Sequence, residues 1–112
     1  MNRSSLRIII TVLGLITAFV HLVLLNISMG RIDIPFTLNG LGYLSLVGAF
    51  LFNPSVVAGR RRLLSYAFMA FAAVTIVAWV VLGKPYNMLG YFTKADELLL
   101  IAALAMNLKN ES

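Results

Sequence analysis

Four apolar stretches, Leu6–Met29, Phe36–Phe52, Leu63–Leu82 and Ala95–Leu108, follow one another along this chain with only short polar links between them. A segment of about 20 apolar residues crosses a hydrocarbon core about 30 Å thick, and the first and third stretches reach that length. The second and fourth, 17 and 14 residues long, would each suit the core of a water-soluble domain if met alone. A soluble domain of 112 residues has too little interior to hide all four together. The pattern predicts one all-α domain over residues 1–112, a transmembrane four-helix bundle with helices near 6–29, 36–52, 63–82 and 95–108.

Composition agrees with that solvent. The chain is 61% hydrophobic and 12% charged with a mean hydropathy of +0.94, well outside the balance of soluble domains. Its net charge of +5 does not imply nucleic acid, because the basic residues flank the apolar stretches instead of lining one face. The expected surroundings are the lipid bilayer and its anionic headgroups. With no cysteine and one histidine, thiol catalysis, thiolate metal sites and multi-histidine metal or haem centres are excluded within one chain. No nucleophile–base pair or phosphate loop stands out either, so neither an enzyme nor a cofactor is expected.

Arg3 and Arg7 ahead of an apolar run, with Ser28-Met29-Gly30 after it, resemble a cleavable signal. The run from Ile8 to Ile27 is longer than the about 7–15 residues of a signal core, so a retained helix is expected. Orientation follows from the cations. With both termini in the cytoplasm, Arg3, Arg7, Arg60, Arg61, Arg62 and Lys109 lie inside and Arg31, Lys84 and Lys94 outside, six against three. Short cytoplasmic loops favour lysine and arginine, so the expected location is the cell membrane with both termini cytoplasmic. Arg60, Arg61 and Arg62 would then meet anionic headgroups, worth about 1 kcal/mol each near the surface.

Local signals mark the turns. Pro35 suits the first turn of the second helix, and Asn53-Pro54 ends it, since the residue before proline avoids helical geometry. Gly83-Lys84-Pro85 closes the third by the same logic. The aromatic segment Tyr86–Thr93 reads as a loop along the outer interface, after which Thr93 and Asp96 have the spacing of a capping box opening the fourth helix.

Small residues three or four apart mark contact stripes between helices in lipid. They predict Gly14, Thr17, Ala18 and His21 on the first helix and Gly42, Ser45, Gly48 and Ala49 on the second. On the third they predict Ala67, Ala70, Ala73, Val77 and Ala78, and on the fourth Ala95, Ala102 and Ala105. Phe50, Phe52, Phe68 and Phe71 are left for lipid, a partner or the rest of the bundle.

Polar residues inside apolar helices need a reason, because an ionisable group at mid-helix costs roughly 2.5–3.5 kcal/mol to insert. His21, Asn26, Asn39, Tyr43, Thr75 and Glu97 fall in the outer half of the expected bundle. Asn39 and Tyr43 share a helical face, and His21 meets Glu97 if the first and fourth helices are neighbours. His21, Asn39, Tyr43 and Glu97 therefore form a candidate polar pocket. The plainer expectation is that they bond across helices, where such a bond is worth about 0.6 kcal/mol on average.

The strings Phe36-Thr37-Leu38-Asn39-Gly40-Leu41-Gly42-Tyr43, Thr75-Ile76-Val77-Ala78-Trp79 and Gly90-Tyr91-Phe92-Thr93-Lys94-Ala95-Asp96-Glu97 resemble those of small, uncharacterised four-helix membrane proteins of bacteria and archaea. That resemblance implies the fold and no activity. The function expected is a non-catalytic accessory or scaffold subunit packing against other membrane proteins or a second copy of itself. The alternative is a minimal transporter or small-ligand-binding membrane protein using the polar pocket.

Overall fold

In the computed structural model, residues 2–24, 26–27, 30–82 and 87–111 are described. Four long helices make up an all-α bundle: α1 (Arg3–Phe19, continued by a π-helical turn Val20–Leu24), α2 (Ile34–Phe52), α3 (Arg61–Leu82) and α4 (Met88–Asn107). A single helical turn, Ser55–Ala58, precedes α3, and a 3-10 turn, Leu108–Asn110, follows α4. α1 packs against α2 and α4, and α3 packs against the same two. The helices therefore run in ring order, each antiparallel to its neighbours, as short connections require. Three of them, Arg3–Leu24, Ile34–Phe52 and Arg61–Leu82, are long and apolar enough to cross a membrane. α4 matches them in length but carries Lys94, Asp96 and Glu97.

Each helix end has a chemical cause. The Asn2 side chain accepts from the Ser5 N–H at 2.8 Å, capping α1. Asp33 does the same for α2 by accepting from the Phe36 N–H at 2.9 Å, with Pro35 in the first turn as expected. α2 stops at Asn53-Pro54, where Asn53 takes the left-handed conformation (φ 51°) and its N–H bonds the Ala49 carbonyl. At the other end of α1, Gly30 (φ 71°) allows the paired bonds of a Schellman closure, Gly30 N–H to Ile27 O and Arg31 N–H to Asn26 O. Asn26 then ties this turn to α2. Its amide nitrogen donates to the Leu22 carbonyl and to the Thr37 hydroxyl, and its oxygen accepts from the Asp33 N–H. Asn26 is thus a turn residue and not part of a pocket.

α4 is the element that differs most from expectation. It begins at Met88, capped by Asn87, whose side chain accepts from the Gly90 N–H at 2.8 Å. Thr93 lies inside the helix and donates to the Leu89 carbonyl, so the Thr93–Asp96 capping box does not form. The aromatic stretch is largely helical too: Tyr91 meets Trp79 of α3 edge-on at 5.3 Å between centroids. Gly83-Lys84-Pro85 and Tyr86 lie outside the described residues, as do Ser28 and Met29.

The core has two halves. Toward the end carrying the termini it is apolar, with Ile10, Val47, Phe50, Phe68, Leu100 and Leu104 packed together. Toward the opposite end the buried positions are Thr17, His21, Tyr43, Thr75, Thr93 and Glu97. The predicted stripe of α1 is correct, since Gly14, Thr17, Ala18 and His21 are all buried. The α2 stripe holds in part, with Gly42 against the Phe71 ring and Ala49 packed on the core while Ser45 is exposed, and those of α3 and α4 do not hold. α2 buries Gly40, Tyr43, Val47 and Phe50, while Ala67, Ala70, Ala73, Val77 and Ala78 of α3 and Ala95, Ala102 and Ala105 of α4 face outward. Phe50 and Phe68 fill the interior instead. Large rings bury more area than alanine methyls, and here they decide which faces turn inward.

Candidate functional site

Glu97 is the centre of the polar half, with no solvent exposure at all. Three donors from three helices converge on its carboxylate. The Thr17 hydroxyl of α1 and the Tyr43 hydroxyl of α2 donate to Oε2 at 2.8 and 2.9 Å. Lys94, one turn earlier on α4, donates from Nζ to Oε1 at 2.6 Å. A buried charge persists only when it is paired and hydrogen-bonded. Glu97 satisfies both conditions, and the ion pair is charge-assisted and short.

His21 reaches this group through Thr17. Its Nδ1 lies 2.8 Å from the Thr17 carbonyl and 3.3 Å from the Thr17 hydroxyl. A carbonyl only accepts, so Nδ1 carries the proton in this arrangement. The contact belongs to the π-helical turn. The Val20 N–H bonds both the Ile16 and Thr17 carbonyls, and the Thr17 carbonyl, which a regular α-helix reserves for the His21 amide, receives the imidazole. The ring also packs beside Tyr43 at 5.8 Å and edge-on to Phe36 at 6.3 Å between centroids. Tyr43 in turn sits edge-on to Phe71 of α3 at 4.8 Å, which holds its hydroxyl toward Glu97.

Of the four residues expected to share a pocket, Tyr43 and Glu97 bond directly and His21 joins through Thr17. Asn39 joins at one remove as well: its amide donates to the Thr75 hydroxyl of α3 at 2.8 Å, Thr75 is a hydrogen-bond neighbour of the Tyr43 hydroxyl, and Thr75 donates on to the Phe71 carbonyl. Two buried oxygens beside this network, Asn39 Oδ1 and Asp96 Oδ2, have no hydrogen-bond partner among the described residues.

Two further residues complete this network: Lys94, which the sequence places in the outer loop, and Thr17, which it marks only as a packing residue of α1. A lysine at the edge of an apolar stretch reads as part of the outer loop so long as that stretch starts at residue 95, whereas the helix starts at Met88. Once the helix is extended, the i, i+3 spacing of Lys94 and Glu97 is a legible signal. The i, i+4 spacing of Thr17 and His21 is another. The π-helical turn leaves no trace in composition.

The arginine triplet does not act as one patch. Arg60 is exposed. Arg62 donates to the Leu108 carbonyl at the end of α4. Arg61 is buried and turns inward, donating to the Ala49 carbonyl and to Asn53 Oδ1 and pairing with Glu111 at 3.2 Å. Among the described residues, no group of three or more histidine, cysteine, aspartate or glutamate side chains has the arrangement of a metal site.

A family model described as a family of unknown function (DUF7475) matches residues 1–108, and the chain belongs to that family. No curated protein and no solved structure matches it.

Proposed function

We propose that this member of that family is a multi-pass integral membrane protein serving as a non-catalytic accessory or scaffold subunit. The membrane reading is supported by an inside-out polarity. Glu97, Lys94 and Thr17 are buried, while Ile8, Leu38, Val74 and Leu99 are each about 60% exposed or more. Water would reward the reverse arrangement; hydrocarbon rewards this one. The long axis of 41 Å matches the about 40–45 Å of a bilayer with its headgroups. With Lys94 and Arg61 both inside the bundle, the flanking cations favour cytoplasmic termini by five, Arg3, Arg7, Arg60, Arg62 and Lys109, against two, Arg31 and Lys84.

The observation that carries the subunit reading is the outward face of α3. Ala67, Ala70, Ala73, Val77 and Ala78 are exposed and have no use within the bundle, yet small residues are what let a second helix approach closely. The polar network offers little to a ligand, since both oxygens of Glu97 are already engaged. Extraction in native nanodiscs followed by native mass spectrometry tests this: the chain is expected in stoichiometric association with other membrane subunits or a second copy. Ala70→Leu is expected to release the partner while leaving the chain folded. A monomer carrying a bound small molecule would sink the reading.

One observation favours the alternative, a transporter or ligand-binding membrane protein. Asp96, buried next to the Lys94–Glu97 pair, has a carboxyl oxygen with no partner among the described residues. On that reading Glu97→Gln and His21→Ala abolish an activity outright, whereas in a subunit they change only assembly or stability.

A further inference from the structure

At the end of the bundle that carries both termini, a cleft of about 460 Å³ is lined by Arg3, Arg7, Asn53, Arg61, Lys109 and Glu111. Four cations face one carboxylate there. Arg61 is buried, with one guanidinium nitrogen held by the Ala49 carbonyl and Asn53 Oδ1 and the other 3.2 Å from Glu111 Oε2. Arg7 donates to the Leu51 carbonyl at 3.3 Å. Both guanidinium groups lie over the ring of Phe50, at 4.9 Å for Arg61 and 5.8 Å for Arg7. Phe50 is fully buried, so the aromatic floor and the carbonyls of α2 hold the two forks in position before any ligand arrives. Among the described residues, Arg3 and Lys109 have no ion-pair partner.

We infer that this cleft binds a phosphate-bearing anion, and that Glu111 occupies part of it as an internal stand-in. Among the described side chains that line it the excess of positive charge is three, four cations less one carboxylate. A tetrahedral phosphate offers oxygens to several forks at once, which a single carboxylate does not. The cleft is also far larger than the carboxylate it holds, leaving room for a headgroup or a small phosphate ester. Arg61 is thereby a ligand-binding residue and not an orientation signal, a division of labour within the triplet that its composition hides. The inference does not depend on whether the chain has protein partners.

Binding of inorganic phosphate, by calorimetric titration in a non-ionic detergent, and of phosphatidylglycerol, by native mass spectrometry, tests it with the full chain. Glu111→Gln removes the competing carboxylate and is expected to tighten binding of at least one probe about tenfold, the equivalent of one charge-assisted contact. Arg61→Gln is expected to abolish it. Because Arg61 is buried and its loss endangers folding, Arg7→Gln and Lys109→Gln at the rim are run beside it, each expected to weaken binding several-fold. Arg31→Gln, which removes the same charge at the opposite end, is expected to change nothing. Lipid that millimolar phosphate fails to displace identifies a headgroup as the source; displacement identifies free phosphate. Saturable binding of neither probe to Glu111→Gln overturns the inference, as does an equal loss in Arg31→Gln and Arg7→Gln.

Discussion

Lys94→Met is expected to destabilise the bundle by about 3–5 kcal/mol, the range for removing one partner of a buried ion pair. Glu97 has no exposed surface and lies at the junction of α1, α2 and α4, so water cannot reach the carboxylate once its counter-ion is gone. The thiol-free chain suits reversible unfolding in mixed micelles, which gives the number directly. Glu97→Gln leaves Lys94 as the stranded charge and is expected to cost a similar amount. The double variant Lys94→Met with Glu97→Gln restores neutrality and keeps an oxygen for Thr17 and Tyr43. It is expected to recover at least about half of either loss, because a buried pair and its neutral replacement are often close in stability. A loss below about 0.5 kcal/mol for Lys94→Met, the level of an ordinary surface substitution, would mean that the pair is solvated.

Gly40→Ala has the next largest effect, about 1–3 kcal/mol, through overpacking. A β-carbon at this position meets Leu22 Cγ at 2.6 Å, the Leu22 nitrogen at 3.0 Å and the Ala18 carbonyl oxygen at 3.1 Å. The leucine side chain has room to swing, but the two backbone atoms do not. α1 and α2 must therefore part beside the π-helical turn, which draws Thr17 and His21 away from Tyr43. Gly48 on the same helix has nothing within 4 Å of its added carbon, so Gly48→Ala is expected to stay within about 0.5 kcal/mol of the parent chain. Equal effects at the two positions, in the same unfolding assay, would show that close approach of α1 and α2 is not what Gly40 supplies.

What the sequence made legible was what rests on long runs and strong local chemistry. The number of helices follows from four apolar stretches, and the ends of α2 follow from Pro35 and the Asn53-Pro54 pair. The inward face of α1 follows from small residues at helical spacing. The faces of α3 and α4 did not follow, because in an apolar helix hydrophobic periodicity is weak and size has to stand in for it. Phe68 and Leu104 won the interior over Ala70 and Ala105, and the small residues that do turn inward, Ala72 and Ala103, lie beside these large side chains. The polar site was legible as a set of candidates and not as a geometry. Tyr43 and Glu97 meet because α2 and α4 sit diagonally in the ring, a fact of tertiary order. Lys94 does not show itself in the sequence as an interior residue, because a cation beside an apolar stretch is usually a flank, and only the upstream start of α4 at Met88 draws it inside.

On the membrane reading, the apolar exterior faces lipid while the charged pair is sealed within. Because the chain has no cysteine, single spin labels at Leu38→Cys, Val74→Cys and Leu99→Cys can be introduced without background, in native-composition nanodiscs. Their relaxation by molecular oxygen, which partitions into hydrocarbon, is compared with that by a water-soluble nickel chelate. The account predicts strong oxygen and weak nickel accessibility at all three positions. Strong nickel accessibility at these sites would put the apolar surface in water and contradict it.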